Sequence, residues 1–303
     1  MRLLLLGPGG QVGWELQRAL APLGEVLALD RRRSDELCGD LTQLDGLTQT
    51  VRTVRPDVIV NAAAYTAVDR AESEPDLARL VNAEAPAVLA REAKASGAWL
   101  VHYSTDYVFD GSGDRRWQES DRTGPINVYG ETKLAGEDAI RESGCNHLIF
   151  RTSWVYAPRG ANFIRTMLRL AAERDALKVI NDQMGAPTGA ELIADVTAHA
   201  VRTVHSGDNE LSGLYHLAAA GETSWHGYAS FVIEYARRAG WSTRLADEAI
   251  EAVPTEAFPT AAKRPHYSRL DCSRLENTFG LQMPDWQRGV ERAVDEMVMR
   301  DEG

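Results

Sequence analysis

Two side chains that could transfer a proton stand four positions apart in the stretch Tyr129-Gly130-Glu131-Thr132-Lys133. Residues i and i+4 share one face of a helix, so the spacing predicts that the Tyr129 hydroxyl and the Lys133 ammonium lie side by side. A free tyrosine has a pKa of about 10, and a neighbouring cation favours the phenolate and lowers that pKa. The pair predicts a general acid or base, although any helix can carry this spacing by chance.

A second polar group, Ser104-Thr105-Asp106, follows an apolar run that predicts the fourth strand of a sheet. Ligands bind beyond the carboxyl ends of parallel strands in open α/β sheets, which places these side chains in a site. Thr105 can donate a hydrogen bond to a carbonyl oxygen while Tyr129 delivers the proton. With hydride from a nicotinamide, such a set needs neither a metal nor a nucleophile.

A glycine-rich loop, with glycines at positions 7, 10 and 13, follows the first apolar run and opens the first predicted helix. Small residues let the backbone approach a pyrophosphate, and a helix N-terminus offers free N–H groups to the anion. A tight structural turn would also explain the pattern, so Gly7, Gly10 and Gly13 gain weight only from their context.

That context includes Asp30, which closes the second predicted strand, where an acidic residue binds the adenosine ribose. Arg31, Arg32 and Arg33 follow at once and could hold a 2′-phosphate instead of forming a solvated loop. The sequence therefore predicts use of both NADH and NADPH. Asp40 and the small residues after the third strand stand where contacts to the adenine and nicotinamide sides are expected.

The elements that must position these residues are short apolar runs alternating with amphipathic segments. Runs without polar alternation predict buried strands at residues 3–6, 26–29, 58–60, 99–103 and 148–150. Helical spacing occurs at residues 12–20, 44–54, 76–96 and 129–142, and later at 162–173, 190–204, 224–239 and 287–299. The alternation predicts right-handed βαβ units and a doubly wound parallel sheet over residues 1–156. Residues 157–303 are predicted to form a smaller α/β substrate domain, with possible return segments to the first domain.

Composition limits the function classes. The 303 residues carry a formal net charge of −11, which argues against a nucleic-acid-binding surface. The 3 cysteines are far apart and form no Cys-x-x-Cys pair, which fits a reducing cytoplasm rather than a disulfide framework or structural zinc. The apolar run at the start stops at Gly7, too short for a signal peptide or a membrane span.

With these residues in view, the chain resembles the extended short-chain dehydrogenase/reductase family over essentially its whole length. The resemblance rests on an ordered set of strings: Gly10-Gln11-Val12-Gly13, Asn61-Ala62-Ala63-Ala64-Tyr65-Thr66-Ala67-Val68-Asp69, Tyr103-Ser104-Thr105-Asp106-Tyr107-Val108-Phe109, Val128-Tyr129-Gly130-Glu131-Thr132-Lys133, Arg151-Thr152-Ser153-Trp154-Val155-Tyr156 and Asn181-Asp182-Gln183-Met184-Gly185-Ala186-Pro187-Thr188. It implies a Rossmann-type fold and reduction by NAD(P)H of the C4 ketone of dTDP-4-dehydro-β-L-rhamnose.

The resemblance also implies roles for single residues. Thr105, Tyr129 and Lys133 would be catalytic, with Asp106 beside them, and Thr105 and Asp106 would also contact the sugar. The cofactor would be lined by Gly7, Gly10, Gln11, Val12, Gly13, Asp30, Asp40, Leu41, Ala62, Ala63, Ala64, Tyr65, Thr66, Tyr103, Tyr129 and Lys133. Tyr65 stands where some relatives carry histidine, which does not touch the chemistry.

Two further implied features have plain alternatives. Trp154 would lie against the sugar and Arg264 near the diphosphate, unless the first is a core residue and the second belongs to a surface loop. Some relatives form homodimers around Mg²⁺, and Glu15, Glu191 and Glu296 match the acidic positions that hold it. Exposed helical glutamates are common, so a solvated surface is the alternative for each.

Four other functions remain open. A sugar-nucleotide 4,6-dehydratase resembles Thr-Asp-Glu at the strand end, and Tyr107 in place of the glutamate disfavours that reaction. A related epimerase or a reductase of another sugar nucleotide would use the same scaffold. A non-catalytic regulatory subunit, like that of some methionine adenosyltransferases, would need the cofactor loop but not Thr105, Tyr129 and Lys133.

Overall fold

The computed structural model describes residues 1–32, 37–207, 209–246 and 249–301. Its strands are β1 (Arg2–Leu6), β2 (Glu25–Leu29), β3 (Val58–Asn61), β4 (Trp99–Thr105), β5 (His147–Thr152), β6 (Val155–Tyr156), β7 (Leu177–Ile180), β8 (Met184–Gly185), β9 (Thr188–Gly189), β10 (Gly213–His216), β11 (Thr223–Ser224) and β12 (Ile250–Val253). Its α-helices are α1 (Gln11–Leu20), α2 (Leu44–Val54), α3 (Val68–Ala71), α4 (Pro75–Arg79), α5 (Ala85–Ser96), α6 (Val128–Ser143), α7 (Phe163–Glu173), α8 (Ala190–His205), α9 (Trp225–Arg238), α10 (Ser273–Phe279) and α11 (Trp286–Asp301).

One six-stranded parallel sheet organises the chain, in the order β10-β5-β4-β3-β1-β2. Strands β1, β3, β4 and β5 end at the same edge, which brings together the residues that follow them. Helices connect successive strands, so the predicted α/β class with a doubly wound parallel sheet is confirmed.

The alternation of side chains along β1 explains why both faces of the sheet are covered. Leu3 and Leu5 pack on one face with α1 and α8, whereas Leu4 and Leu6 pack on the other face with α2, α5 and α6. All four leucines are 0% exposed. A strand buried on both sides needs a continuous apolar run, which is what residues 3–6 supply.

Two elements from the second half of the chain belong to the sheet layer. Strand β10 pairs in parallel with β5, and Ile193 of α8 packs in the core that contains Leu3 and Phe150. Strand β10 and helix α8 thus return from the second half of the chain to the sheet formed by the first half, as the sequence allowed. The division of the chain at residue 156 stays a prediction.

The predicted helix at residues 76–96 is interrupted by a π-helical turn, Leu80–Glu84, between α4 and α5. The turn directs Asn82 into the protein, where its Oδ1 accepts from Tyr65 N at 2.9 Å and its Nδ2 donates to Tyr65 O at 3.0 Å. Nδ2 also donates to Thr132 Oγ1 at 3.2 Å. Through Asn82 the turn holds the loop after β3 against α6, and π turns are frequent at functional sites.

A separate apolar cluster lies in the second half of the chain. Helices α7, α9 and α11 supply Ile164, Tyr228 and Val290, which are 0%, 1% and 0% exposed, respectively. Trp154 and Trp225 pack against this cluster at its margin. The aromatic residues at that margin border the site described next.

Candidate functional site

The glycine loop lies between β1 and α1 and is shaped by two close approaches. Gly7 has φ +81°, and a Cβ there would lie 2.8 Å from Ala63 N. A Cβ on Gly13 would lie 2.0 Å from Gly7 O. Neither position can take a side chain without moving backbone, so the loop stays thin and close to the strand ends.

The N-terminus of α1 is open toward this edge. Gly10 is the N-cap and supplies no side-chain acceptor, so the first N–H groups of the helix, including those of Gln11 and Val12, have no side-chain cap. An exposed loop of small residues at an uncapped helix N-terminus fits a pyrophosphate. The Gln11 Oε1 accepts from Asn162 Nδ2 at 3.3 Å, which ties the loop to the segment before α7.

The acidic residues predicted to meet the adenosine side flank the same edge. Asp30 is exposed directly after β2, and its Oδ1 accepts from the backbone N of Arg32 at 2.7 Å. Asp40 is half-buried, and its Oδ1 accepts from Thr42 N at 3.0 Å. Leu41 is 4% exposed and packs in the core, so it offers only its backbone to a ligand. Arg33, the last residue of the arginine run, lies outside the described residues.

The loop after β3 passes beside the glycine loop. Ala62 N donates to Leu6 O at 3.0 Å, and Ala63 contacts Gly7 as described above. Ala62, Ala63 and Ala64 are all half-buried, while Thr66 is exposed. The Tyr65 hydroxyl donates to Glu74 Oε2 at 2.6 Å, so its ring is held by α4's N-cap.

Thr105 and Asp106 stand at the end of β4, close to Tyr129. Both are nearly inaccessible to solvent, and Thr105 Oγ1 donates to Asp106 Oδ1 at 3.1 Å. The other carboxylate oxygen, Oδ2, has no hydrogen-bond partner within the described part of the chain. Burial raises the pKa of Asp106 to about 7, only partly countered by hydrogen bonds from Ser268 and Thr105. Asp106 therefore changes charge close to neutral pH.

Tyr129 is placed by the first turn of α6. Asn127 caps the helix by accepting from Gly130 N at 2.8 Å, and a Cβ on Gly130 would lie 2.2 Å from Tyr107 O. The helix therefore presses against the turn after β4, and the rings of Tyr107 and Tyr129 meet edge to face at 5.8 Å between centroids. The motif spacing predicts no role for Asn127 or Gly130; a capping Asn directly before the helical pattern is the signal that could have found the first.

Burial decides the acidity of Tyr129. It raises the pKa to about 12, while a hydrogen bond with Thr105 acts in the opposite direction and the charge of Asp106 raises the pKa further. The predicted net lowering of the Tyr129 pKa is wrong for this structure. The reason is that burial of the Tyr129 hydroxyl disfavours the phenolate more than any other contribution. The Lys133 ammonium, in addition, is hydrogen-bonded to the backbone of β4.

Lys133 is 1% exposed and points toward β4. Its Nζ donates to Tyr103 O at 2.6 Å and lies 3.1 Å from His102 Nε2. Burial lowers the pKa of Lys133 to about 8, against the opposing charge of Glu137. The side chain of Tyr103, predicted to line the cofactor, points away to α8, where its hydroxyl lies 2.8 Å from Thr197 Oγ1.

A pocket of about 280 Å³ adjoins these residues. Its lining is Tyr107, Phe163, Met167, Lys178, Val179, Ile180, Gln183, Trp225, Thr255, Phe258, Thr260 and Arg264. It combines aromatic faces with two cationic side chains. Only Arg264 among these was predicted as a substrate contact. Tyr107 and Gln183 stand in the strings that carry the family resemblance, and the other lining residues belong to none of those strings.

Arg264 and Trp154 have different placements. Arg264 Nη2 donates to Asp69 Oδ2 at 2.7 Å, and its buried Nη1 has no hydrogen-bond partner among the described residues. Trp154 stacks on Trp225 at 3.7 Å between centroids and has φ +47°, an uncommon backbone conformation for a bulky residue. Strained residues of this kind cluster at ligand sites. Trp154 is half-buried beside the pocket and is not among the residues that line it.

The acidic residues predicted to hold Mg²⁺ are engaged with arginines or other partners. Glu15 lies 3.5 Å from Arg18, and Glu191 lies 3.4 Å from Arg292. Burial raises the pKa of Glu191, and Glu15 contributes to the same direction. Across residues 1–32, 37–207, 209–246 and 249–301, three or more His, Cys, Asp or Glu side chains do not come together in a metal-binding group. The Mg²⁺ site at Glu15, Glu191 and Glu296 stays a prediction.

Among the residues that the structure describes, no helix is both long enough and apolar enough to cross a membrane.

Known proteins resemble this chain over nearly its full length. The family model described as RmlD substrate binding domain matches residues 1–299. A dTDP-4-dehydrorhamnose reductase of Shigella flexneri is 59% identical over 297 residues, covering 98% of both chains. The protein of that name from Escherichia coli K12 is 58% identical, with the same coverage. A crystal structure of dTDP-4-dehydrorhamnose reductase from Bacillus anthracis in complex with NADP is 36% identical, with TM-score 0.84, and covers 96% of this chain and 97% of that one.

Proposed function

The chain belongs to the family described by the RmlD substrate binding domain model, and from this membership we propose that it reduces the C4 ketone of dTDP-4-dehydro-β-L-rhamnose with NAD(P)H. It is an oxidoreductase that makes dTDP-L-rhamnose, a precursor of cell-surface polysaccharide. The relatives at 59% and 58% identity carry the corresponding enzyme name.

One observation carries the proposal. Thr105 and Tyr129 lie together at the carboxyl edge of the sheet, next to a glycine loop that cannot accept side chains at positions 7 and 13. Two hydroxyl groups can donate hydrogen bonds to one carbonyl oxygen, and the glycine loop fits a pyrophosphate. A ketone reductase needs both features in one place.

When bound, the dihydronicotinamide supplies the hydride. Thr105 donates a hydrogen bond to the ketone oxygen and orients it toward the Tyr129 hydroxyl. Tyr129 is protonated at neutral pH because burial holds its pKa at about 12, and it delivers that proton to the oxygen that becomes a hydroxyl. A general acid must carry its proton before the reaction, so the raised pKa suits the reduction direction.

Lys133 and Asp106 adjust the charge around the phenol. We assign Lys133 the role of stabilising the phenolate that remains after proton transfer, since it lies on the same face of α6. Before substrate binds, Asp106 Oδ1 accepts from Thr105 Oγ1 and holds the hydroxyl at the strand end; this single proton turns from Asp106 to the ketone oxygen when the substrate is present. The negative charge of Asp106 also disfavours the Tyr129 phenolate. Tyr129 therefore keeps its proton until it transfers that proton to the ketone oxygen.

The pocket of about 280 Å³ is assigned to the nucleotide part of the substrate. Trp225, Phe163 and Phe258 offer aromatic faces for the base, and Lys178 and Arg264 offer positive charge for the diphosphate. Arg264 Nη1 is buried without a partner among the described residues, which leaves a donor for a phosphate oxygen. Trp154 is assigned to the sugar ring.

The alternative functions are less well supported by this site. A dehydratase needs a carboxylate where Tyr107 stands, and the Tyr107 ring lines the pocket next to Tyr129. A non-catalytic subunit has no need for a threonine and a tyrosine hydroxyl gathered beside a buried lysine. A reductase or epimerase of another sugar nucleotide differs in the pocket, and its substrate is tested below.

The choice of cofactor rests on Asp30 and the arginine run after it. An exposed Asp30 carboxylate favours the ribose 2′-hydroxyl of NADH, while Arg31 and Arg32 favour a 2′-phosphate. Asp30 Oδ1 accepts a 2.7 Å hydrogen bond from the backbone N of Arg32. The acidic residue that favours NADH and the arginines that favour NADPH therefore lie in the same turn. We propose that the enzyme uses both NADPH and NADH.

We also propose that the enzyme works in the cytoplasm as a homodimer with Mg²⁺ at Glu15, Glu191 and Glu296. Glu15 and Glu191 lie close enough that Glu15 affects the pKa of Glu191. The substrate is a small sugar nucleotide, and neither nucleic acid nor a membrane is expected as a partner.

The direct test uses dTDP-4-dehydro-L-rhamnose generated in the cuvette by the preceding epimerase. Oxidation of NADPH and of NADH is followed by absorbance, and the product is identified by chromatography against dTDP-L-rhamnose. We expect rapid oxidation that depends on the sugar nucleotide. Protein that binds the cofactor but oxidises none of it with this substrate contradicts the proposal and favours another sugar nucleotide or a regulatory subunit.

A further inference from the structure

A buried chain of three polar side chains leads from the loop after β3 to the active-site lysine. Asn61 at the end of β3, His102 on β4 and Lys133 on α6 are each 1% exposed. His102 Nδ1 lies 3.2 Å from Asn61 Nδ2, and His102 Nε2 lies 3.1 Å from Lys133 Nζ. The motifs that indicate the reaction leave His102 without a role.

The orientation of the Asn61 amide is fixed by a backbone donor. Ala63 N can only donate, and it donates to Asn61 Oδ1 at 3.3 Å. The other amide atom, Nδ2, therefore faces His102, and an amide NH₂ can only donate as well. His102 Nδ1 must then be the acceptor and carry no proton.

This arrangement places the ring proton of His102 on Nε2. The imidazole is neutral, because burial lowers its pKa well below the usual value. A neutral ring has one proton, and with Nδ1 bare that proton is on Nε2. The Nε2–H group then points at Lys133 Nζ.

A donor facing Nζ favours the neutral amine. An ammonium has three donors and no lone pair, whereas a neutral amine can accept from Nε2–H and still donate to Tyr103 O at 2.6 Å. If Lys133 gains a proton, the ring proton must move to Nδ1 and the Asn61 amide must turn away from Ala63. Protonation of Lys133 therefore disrupts the chain of hydrogen bonds.

We propose that His102 is a positioning residue which, with its proton held on Nε2 by Asn61, disfavours the ammonium form of Lys133 and so sets the alkaline pH limit of the reaction. The link to the reaction rests on the proposed reductase function. The lowered pKa of Lys133, about 8, agrees with this role.

The other titratable groups around Lys133 do not depend on His102. Glu137 on α6 favours the ammonium, and it is paired with Arg151 of β5 at 2.9 and 2.6 Å. Tyr129 of the same helix and Tyr103 of β4 stay protonated because burial raises the pKa of each. Asp106, beyond Thr105, titrates near pH 7, below the range of interest.

The test compares His102→Gln and Asn61→Leu with the wild type. Gln can turn its carbonyl oxygen toward the ammonium, and Leu frees the ring to accept from it. We expect the alkaline midpoint of kcat/KM for NADPH to rise by about one pH unit in both variants, with kcat at pH 7 within about threefold of the wild type. His216→Gln is the matched control, since His216 is 0% exposed on β10 in the same sheet. It should leave the midpoint unchanged.

The position of the proton on the His102 ring is measured separately by ¹⁵N NMR of histidine-labelled full-length protein. The His102 signals are assigned by their absence from the spectrum of His102→Gln. Above about pH 9, where Lys133 is a neutral amine, we expect His102 to be protonated on Nε2 only. A proton on Nδ1 above that pH, a charged ring, or wild-type midpoints in both variants would overturn the proposal. Lack of turnover by the wild type would instead count against the reductase function, while the NMR result still decides the tautomer.

Discussion

Tyr129 keeps its proton at neutral pH because burial raises its pKa to about 12, and a ketone reduction needs that proton. We expect Tyr129→Phe to lower kcat by roughly 10²- to 10⁴-fold, the usual contribution of a general acid, with the cofactor Kd nearly unchanged. Steady-state rates and fluorescence titration with NADPH measure the two effects. Tyr235→Phe, which loses a hydroxyl bonded to Asp295, is the control. Near-normal turnover of Tyr129→Phe would rule out the mechanism.

Asp106 makes the folded state sensitive to pH. Its pKa is about 7 in the folded protein and about 3.9 in an unfolded chain, so between these values the folded state binds more protons. The free energy of unfolding therefore falls as pH rises through this window, by about 4 kcal/mol at most. Asp106→Asn stays neutral and lacks this loss, so its Tm advantage over the wild type should grow from pH 5 to pH 8.

The matched control for that experiment is Asp110→Asn. Asp110 lies on the same segment, and a hydrogen bond with Ser112 lowers its pKa, so it is charged across the range. Its replacement should give a Tm difference that does not grow with pH. A constant difference for Asp106→Asn as well would show that Asp106 does not titrate in this window.

Sequence spacing predicts which residues reach the site better than it predicts their protonation. The interval between Tyr129 and Lys133, and the position of Thr105 at a strand end, follow from local periodicity. The acidity of Tyr129 depends on how much water the folded chain excludes, and the direction of Lys133 depends on His102, a neighbour on another strand. Neither quantity is encoded in a motif, which is why the predicted lowering of the Tyr129 pKa is wrong.

At the level of elements, the contact between β1, the glycine loop and α1 shapes the loop to which we assign the cofactor pyrophosphate. A Cβ at Gly13 would lie 2.0 Å from Gly7 O, so Gly13→Ala must displace the turn. We expect a destabilisation of about 1–3 kcal/mol and at least about tenfold weaker NADPH binding. Gly9→Ala is the control, since its Cβ would meet nothing within 4 Å. Denaturant unfolding and cofactor titration check both; equal binding by the two variants would refute this account of the loop.

Long periodic segments were predictable, and short or non-local ones were not. The predicted helix at residues 44–54 coincides with α2, and the predicted strands differ from the observed ones by at most two residues at an end. The two-residue strands β6, β8, β9 and β11 are too short to show a period. The π turn Leu80–Glu84 has ordinary helical spacing on both sides, so only the contacts of Asn82 reveal it.

At the level of the whole molecule, the two halves of the chain share one sheet and one site. Strand β10 and helix α8 come from the second half and complete the layer that holds Thr105 and Tyr129, while Arg264 and Trp225 line the pocket. The sequence could not place β10, because its partner β5 is far away along the chain. Both halves of the chain must therefore be present for the site to form.

We propose that the intact protein moves hydride from the nicotinamide to C4 of the sugar. The most direct measurement supplies NADPH deuterated at the transferred position of the nicotinamide ring, with dTDP-4-dehydro-L-rhamnose formed in situ. The product is then analysed by mass spectrometry and NMR. We expect dTDP-L-rhamnose with one deuterium at C4. Deuterium at another carbon, or a product without deuterium from either face of the labelled ring, would contradict it.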